Sequence, residues 1–209
     1  MKEHKSLLRY LLVFFDILFV FLFIVLLVNT VLFFRCRYLA KDLPEQTPLL
    51  MRIYLYGSSE NQDGSTVSAN ISILDSSSSE IAVIERSWNG TFLAIDFTTA
   101  FFYGKKFYFP QKIYGTDSVY SKYYPFEKKN GSVIFPYYLE NKKCLFYGTG
   151  YTVEQKNDLY TLAVFSKSPL SFIMPYFSKK ITVNLSKCQS GKSYGLYLDR
   201  FGNLVLSEE

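Results

Sequence analysis

Histidine and tryptophan are nearly missing from this chain: there is one of each in 209 residues, and the histidine is His4, close to the N-terminus. Everything beyond residue 4 therefore lacks a histidine base, which excludes Ser-His-Asp and Cys-His catalysis and His-ligated zinc. A phosphate-binding loop is absent too. Cys188-Gln189-Ser190-Gly191-Lys192-Ser193 ends in the Gly-Lys-Ser of such a loop, but the leading glycine it needs is Ser186, and a strand pattern rather than a helix follows. Strong charge is lacking as well. The net charge is +5, and beyond residue 34 it is 20 − 16 = +4, an ordinary balance that does not point to nucleic acid. No cofactor or metal is expected from these residues.

What the chain does have is apolar residues, 49% of the total, and they are unevenly placed. From Leu11 to Phe34 the only clearly polar residues are Asp16, Asn29 and Thr30. As a helix these 24 residues extend about 36 Å, enough to cross a hydrocarbon layer of about 30 Å with some tilt. A cleaved signal peptide would have a shorter apolar region, about 7–15 residues, followed by small residues. Here Tyr38-Leu39-Ala40 puts tyrosine where a small residue is required, so the run reads as an uncleaved anchor in the lipid bilayer. Residues 1–10 then form a short basic tail, 11–34 the transmembrane anchor, 35–48 a juxtamembrane linker with Pro44 and Pro48, and 49–209 a separate domain. Flanking charges do not orient the anchor, since Lys2, Lys5 and Arg9 are matched by Arg35, Arg37 and Lys41. The very short leading tail and the domain's cysteines favour a cytoplasmic N-terminus, a single pass and an extracytoplasmic domain, with a bacterial inner membrane as the expected setting. Asp16 has two readings: a contact to a polar group on another membrane helix, or a carboxylate close enough to the cytoplasmic face to reach the interface.

From Leu49 onward the pattern changes to a period of two. Val67, Ala69, Ile71 and Ile73 alternate with Ser68, Asn70 and Ser72, predicting a strand with one apolar face. Asp75 and the four serines Ser76 to Ser79 supply a turn. Strands are expected at Ile81 to Trp88 and Thr91 to Phe102, joined by a tight hairpin at Asn89-Gly90, with a further reversal at Gly104-Lys105. Short strands are plausible at Val133 to Phe135 and Cys144 to Tyr147. Asn157 or Asp158 could cap a helix carrying Leu159, Leu162 and Phe165, and Ser168-Pro169 could start a second one, kinked at Pro175. Alternation returns at Ile181 to Leu185 and Tyr194 to Leu198, and a turn around Gly202 leads to Leu204 to Leu206. The expected architecture is an N-terminal transmembrane helix followed by a mainly-β or α+β domain: antiparallel strands in two groups, with one or two short helices between them at about residues 158–178.

The remaining chemistry is sparse. Cys144 and Cys188 could form a disulfide in an oxidising compartment, or serve as two buried thiols; Cys36, at the membrane border, could carry an acyl chain. Four Asn-x-Ser/Thr triplets begin at Asn70, Asn89, Asn130 and Asn184, and two of these are better read as Asn-Gly turns. Acid-base work is left to the carboxylates Glu85, Asp96, Asp117, Glu127, Glu140, Glu154, Asp158 and Asp199. Asp96 draws attention because it lies in an apolar strand. Aromatic residues make up 19% of the chain, and Tyr faces stack well on sugars or partner proteins, although strands favour aromatics in any case. Trp88, Tyr120, Tyr123 and Tyr124 are the residues expected at an exposed contact surface. The functional expectation is a membrane-anchored envelope accessory or scaffold protein, not an enzyme, that binds another membrane or envelope protein. The rival is a carboxylate-dependent glycan hydrolase of the envelope.

Overall fold

The computed structural model describes residues 2–46, 48–61, 64–117, 131–168 and 177–209. It opens with one helix, α1 (Lys2–Asp42). No proline precedes Pro44 and no glycine precedes Gly57, so nothing interrupts the helix until the residue before proline is driven out of helical geometry. From Tyr10 to Asp42 the helix is long and apolar enough to cross a membrane. Residues 35–42, expected at the start of a Pro-containing linker, are the last turns of the helix. Helix continues through Asp42, and Phe33, Cys36, Ala40 and Leu43 are buried in the core of the following domain. Their spacing, three or four residues apart, is that of one helix face.

The strands are β1 (Leu49–Asn61), β2 (Gly64–Leu74), β3 (Glu80–Asn89), β4 (Phe92–Phe102), β5 (Lys105–Thr116), β6 (Ser132–Val133), β7 (Leu139–Glu140), β8 (Lys143–Cys144), β9 (Lys180–Asn184), β10 (Ser193–Leu198) and β11 (Leu204–Glu208). They build a five-stranded sheet in the order β11-β10-β1-β2-β3, a four-stranded sheet in the order β6-β5-β4-β9, and the small pair β7-β8. Every pairing is antiparallel. The fold is thus mainly β with flanking helices, as the alternation predicts. In β1 the period of two is plain: Ile53 and Leu55 are buried, Tyr54 and Tyr56 exposed.

Asn89-Gly90 is not a hairpin. β3 pairs with β2, and β4 with β5 and β9, so this dipeptide carries the chain from one sheet to the other. The corner is held from both sides. The Gly90 amide donates to the Ser65 carbonyl (2.7 Å), and the Thr91 amide and hydroxyl both donate to Asp117 Oδ1 (2.8 and 2.6 Å). Gly90 has φ 134°, and a side chain there would strike the Thr116 backbone. The reversal at Tyr103-Gly104 is a tight turn with both residues at positive φ (52° and 79°), joining β4 and β5.

Helix α2 (Val153–Ser166) starts earlier than Asn157, because Thr152 and Gln155 form a reciprocal capping box. The second helix expected from Ser168-Pro169 falls largely outside the described residues. Both α2 and the end of α1 pack on β4. The Thr98 hydroxyl is 2.7 Å from that of Ser166, and the Phe102 and Phe165 rings are 5.5 Å apart. That explains why β4 is buried along nearly its whole length: it has the five-stranded sheet on one side and helices on the other.

Candidate functional site

The outward face of the five-stranded sheet is a broad exposed surface of paired polar and aromatic side chains. Strand register sets a row across four strands, Ser193, Tyr54, Asn70 and Glu85, and beside it a second row, Gly195, Arg52, Ser72 and Val83. Tyr54 and Tyr56 are two apart on β1 and therefore share this face, with their rings 5.2 Å apart at 80°. Tyr56 donates to Glu85 Oε1 (3.0 Å), and the carboxylate holds the phenol proton, raising the Tyr56 pKa above its ordinary value. The Tyr197 ring lies across Gly195, where any side chain would collide with it. Tyr56, Ser68, Glu85 and Ser87 line a shallow hollow of about 340 Å³. Held tyrosines surrounded by serine, asparagine and paired charge suit a polar ligand or protein surface better than a lipid.

The residues singled out from sequence fare differently. Trp88 is not on a contact surface: it is 3% exposed, and its indole donates to the Ser132 hydroxyl (3.0 Å) between the sheets. As the ninth residue of an edge strand it falls on the strand's inward face, with Ile84. Tyr120, Tyr123 and Tyr124 lie outside the described residues. Tyr54 and Tyr56 were the legible alternative, since each follows an aliphatic residue in Ile53-Tyr54-Leu55-Tyr56. Cys144 and Cys188 are free thiols rather than a disulfide. Cys144 sits in β8, wholly buried beneath α2, and burial pushes its thiol up to about 12; Cys188, half-buried, is pushed up to about 11. Cys36 is also fully buried, its thiol 3.8 Å from the Thr161 carbonyl, which leaves no room for an acyl chain. Asp16 lies on the exposed surface of α1.

Most of the carboxylates proposed for acid-base work have structural partners. Asp96 accepts from Tyr114 (3.2 Å) and Thr182 (2.6 Å), which bind β4 to both neighbours. Asp117 holds the sheet-to-sheet corner. Asp199 accepts from the amides of Phe201 and Asn203 (2.8 and 2.7 Å), and those amides hold its pKa below the usual carboxylate value. Asp158 is raised by burial, opposed by Arg35 of α1. Glu154 is in the first turn of α2, and Glu127 lies outside the described residues. Among the described residues no group of three His, Cys, Asp or Glu side chains could hold a metal ion.

A second organised region surrounds the C-terminal end of α1. Lys105 Nζ donates to the Leu43 and Lys41 carbonyls (2.6 and 3.0 Å). Gln46, itself buried, bonds both the amide and the carbonyl of Tyr108 (2.6 and 3.1 Å), acting as one residue of an extra strand. Tyr147 donates to the Pro44 carbonyl (2.6 Å). Further down, the Ser168 hydroxyl donates to Asn29 Oδ1 (2.6 Å), and the Phe33 ring meets Phe177, Phe102 and Phe165 at 4.8, 5.8 and 6.2 Å. Helix and domain share one core from Asn29 to Gln46. No family model, no curated protein and no solved structure matches this chain.

Proposed function

We propose that this chain is a membrane-anchored cell-envelope accessory or scaffold protein that acts by binding through its β-rich domain. In this reading α1 crosses a bacterial inner membrane once, with the N-terminus in the cytoplasm and the domain on the far side. The observation that carries it is the shared core of α1 and the domain: Cys36 and Ala40 on the helix are as deeply buried as Ile53 and Ile71 in the sheet. A domain fused to its anchor in this way presents one face in one orientation, which suits a scaffold and serves no purpose in a freely tethered module. The contact surface is the outward face of the five-stranded sheet around Tyr54 and Tyr56.

The test is site-specific photocrosslinking in native membranes. A crosslinker at position 56 should give a discrete adduct that disappears in a Tyr54→Ala/Asn70→Asp background, while one at Val153, exposed at the start of α2 and off this sheet, should not. Diffuse labelling at both positions would overturn the assigned surface. A reporter fused after Glu209 that is active only in the cytoplasm would overturn the orientation.

A further inference from the structure

Where helix α1 leaves the bilayer, its two sides tell different stories. On the side away from the domain it remains apolar and exposed through Val31 and Phe34, each 60% accessible. On the other side the domain already covers it from Asn29, through Ser168 and the Phe177 and Phe102 rings. The hydrocarbon edge therefore falls between Val28 and Phe34, a rise of about 9 Å, comparable to one headgroup layer of about 5–8 Å. Above Phe34 the exposed helix residues are Arg35, Arg37, Tyr38, Lys41 and Asp42, and the first four are the residue types that belong in a headgroup layer. One turn of helix sets their height: Arg37 lies about 4.5 Å and Tyr38 about 6 Å above Phe34.

The β4–β5 hairpin descends alongside. Phe102 packs on Phe33, the Arg37 guanidinium lies 5.8 Å from the Tyr103 ring centroid, and Lys105 binds the carbonyls at the helix end. Tyr103 is thus held at the height of Arg37 while remaining 55% exposed at the very tip. Its positive φ projects an aromatic side chain from a turn where a small residue would be less strained.

We infer that the Tyr103 hairpin tip, with Arg35, Arg37 and Tyr38 of α1, is a membrane-seating lip that lies within the phospholipid headgroup layer and holds the domain down on the bilayer. The arginines face lipid phosphates, and the tyrosines occupy the layer where amphipathic rings are favoured. This rests on α1 being a membrane anchor, which reconstitution of the full chain into lipid nanodiscs tests separately: a chain that fails to incorporate rejects the anchor, whereas the lip is judged only in chains that do.

The experiment uses fluorescence, because the only native tryptophan, Trp88, is buried between the sheets and supplies a constant baseline. In full-length protein in phosphatidylglycerol-containing nanodiscs, Tyr103→Trp should add emission that is quenched by nitroxide-headgroup lipid and largely protected from aqueous iodide. Ser58→Trp, on β1 near the opposite end of the sheet, should show the reverse. Arg37→Gln tests the lip without altering the probe: combined with Tyr103→Trp it should lower the headgroup quenching and increase iodide access. Equal quenching of the probes at 103 and 58 by iodide, with neither reached by the lipid nitroxide, would overturn the proposal.

Discussion

Lys105 Nζ stands 2.6 Å from the carbonyl oxygen of Leu43, so a lysine in a β-hairpin closes the C-terminal end of the apolar helix. The last carbonyls of a helix have no partner within it, and a cation there is favoured by the helix dipole as well as by the bonds themselves. Replacing Lys105 with Met keeps most of the stem and removes the ammonium. We expect a loss of about 1–2 kcal/mol and faster protease cleavage between Asp42 and Leu49, read by thermal unfolding and limited digestion in detergent. Unchanged cleavage would mean that Gln46 and Tyr147 hold this connection unaided.

Phe33 and Phe34 are neighbours in sequence with opposite fates, 9% and 60% exposed. Phe33→Ala removes a ring from a cluster of three others and should destabilise the domain by about 3–5 kcal/mol. Phe34→Ala should change stability by less than about 0.5 kcal/mol in detergent. Equal effects would show that α1 does not share the domain's core.

This division explains what was legible in the sequence. Alternation in β1, β2 and β9 to β11 is a local property of the chain, so these strands could be read directly, as could the apolar run of α1. The partition into two sheets could not: Asn89-Gly90 has the composition of a hairpin, and only Gly115 and Asp117, more than twenty residues on, reveal that it is a crossing. Burial of Cys36 and Ala40 was hidden for a related reason. Cys36 and Ala40 alternate with Arg35, Arg37 and Lys41 for only about two turns, directly after a run apolar on every face, so no long period marks where the helix begins to meet protein. Trp88 was misplaced because aromatic faces suit contact surfaces and cores alike, while its strand position points it inward.

The thiols give a pH signature. Cys144 is raised by burial to about 12 from an ordinary value of 9.0, so the folded state keeps it protonated where the unfolded chain ionises. Its contribution is fully present below the unfolded value and is lost as pH rises from there towards the folded one. Stability at pH 10 should be lower than at pH 8 by on the order of 1 kcal/mol, and Cys144→Ala should flatten this slope while lowering stability overall. Electrophoretic mobility should be the same with and without reductant; Cys36 and Cys144 should react with maleimide only after unfolding, and half-buried Cys188 should react slowly in the folded protein. A mobility shift abolished by Cys188→Ala would establish a disulfide instead.

Asp16 stands 18 residues below Phe34, about 27 Å along the helix, so the two ends of the lipid-facing run are close to one hydrocarbon thickness apart. With α1 spanning a bilayer, we expect the carboxylate to meet the headgroups of the opposite leaflet instead of a polar partner in mid-membrane. Asp16→Leu should leave co-purifying membrane proteins unchanged. Loss of one such protein, restored by Asp16→Glu, would assign Asp16 to a helix-helix contact.

Gly115 and Gly90 meet where the chain crosses between sheets. A Cβ on Gly115 would fall onto the Asn89 carbonyl oxygen and a Cβ on Gly90 onto the Thr116 amide, so the two backbones approach as closely as they do only because both residues lack side chains. Ala at 115 must push Asn89 outward, and the displacement would strain the bond from Gly90 to Ser65 and both bonds from Thr91 to Asp117. We expect Gly115→Ala to cost about 2–4 kcal/mol, the range of overpacking combined with a disrupted hydrogen-bond network. Gly150→Ala is the control, since a Cβ there meets nothing within 4 Å. If the two variants unfold at the same denaturant concentration, the crossing has room to relax, and the sheets are not locked together at this corner.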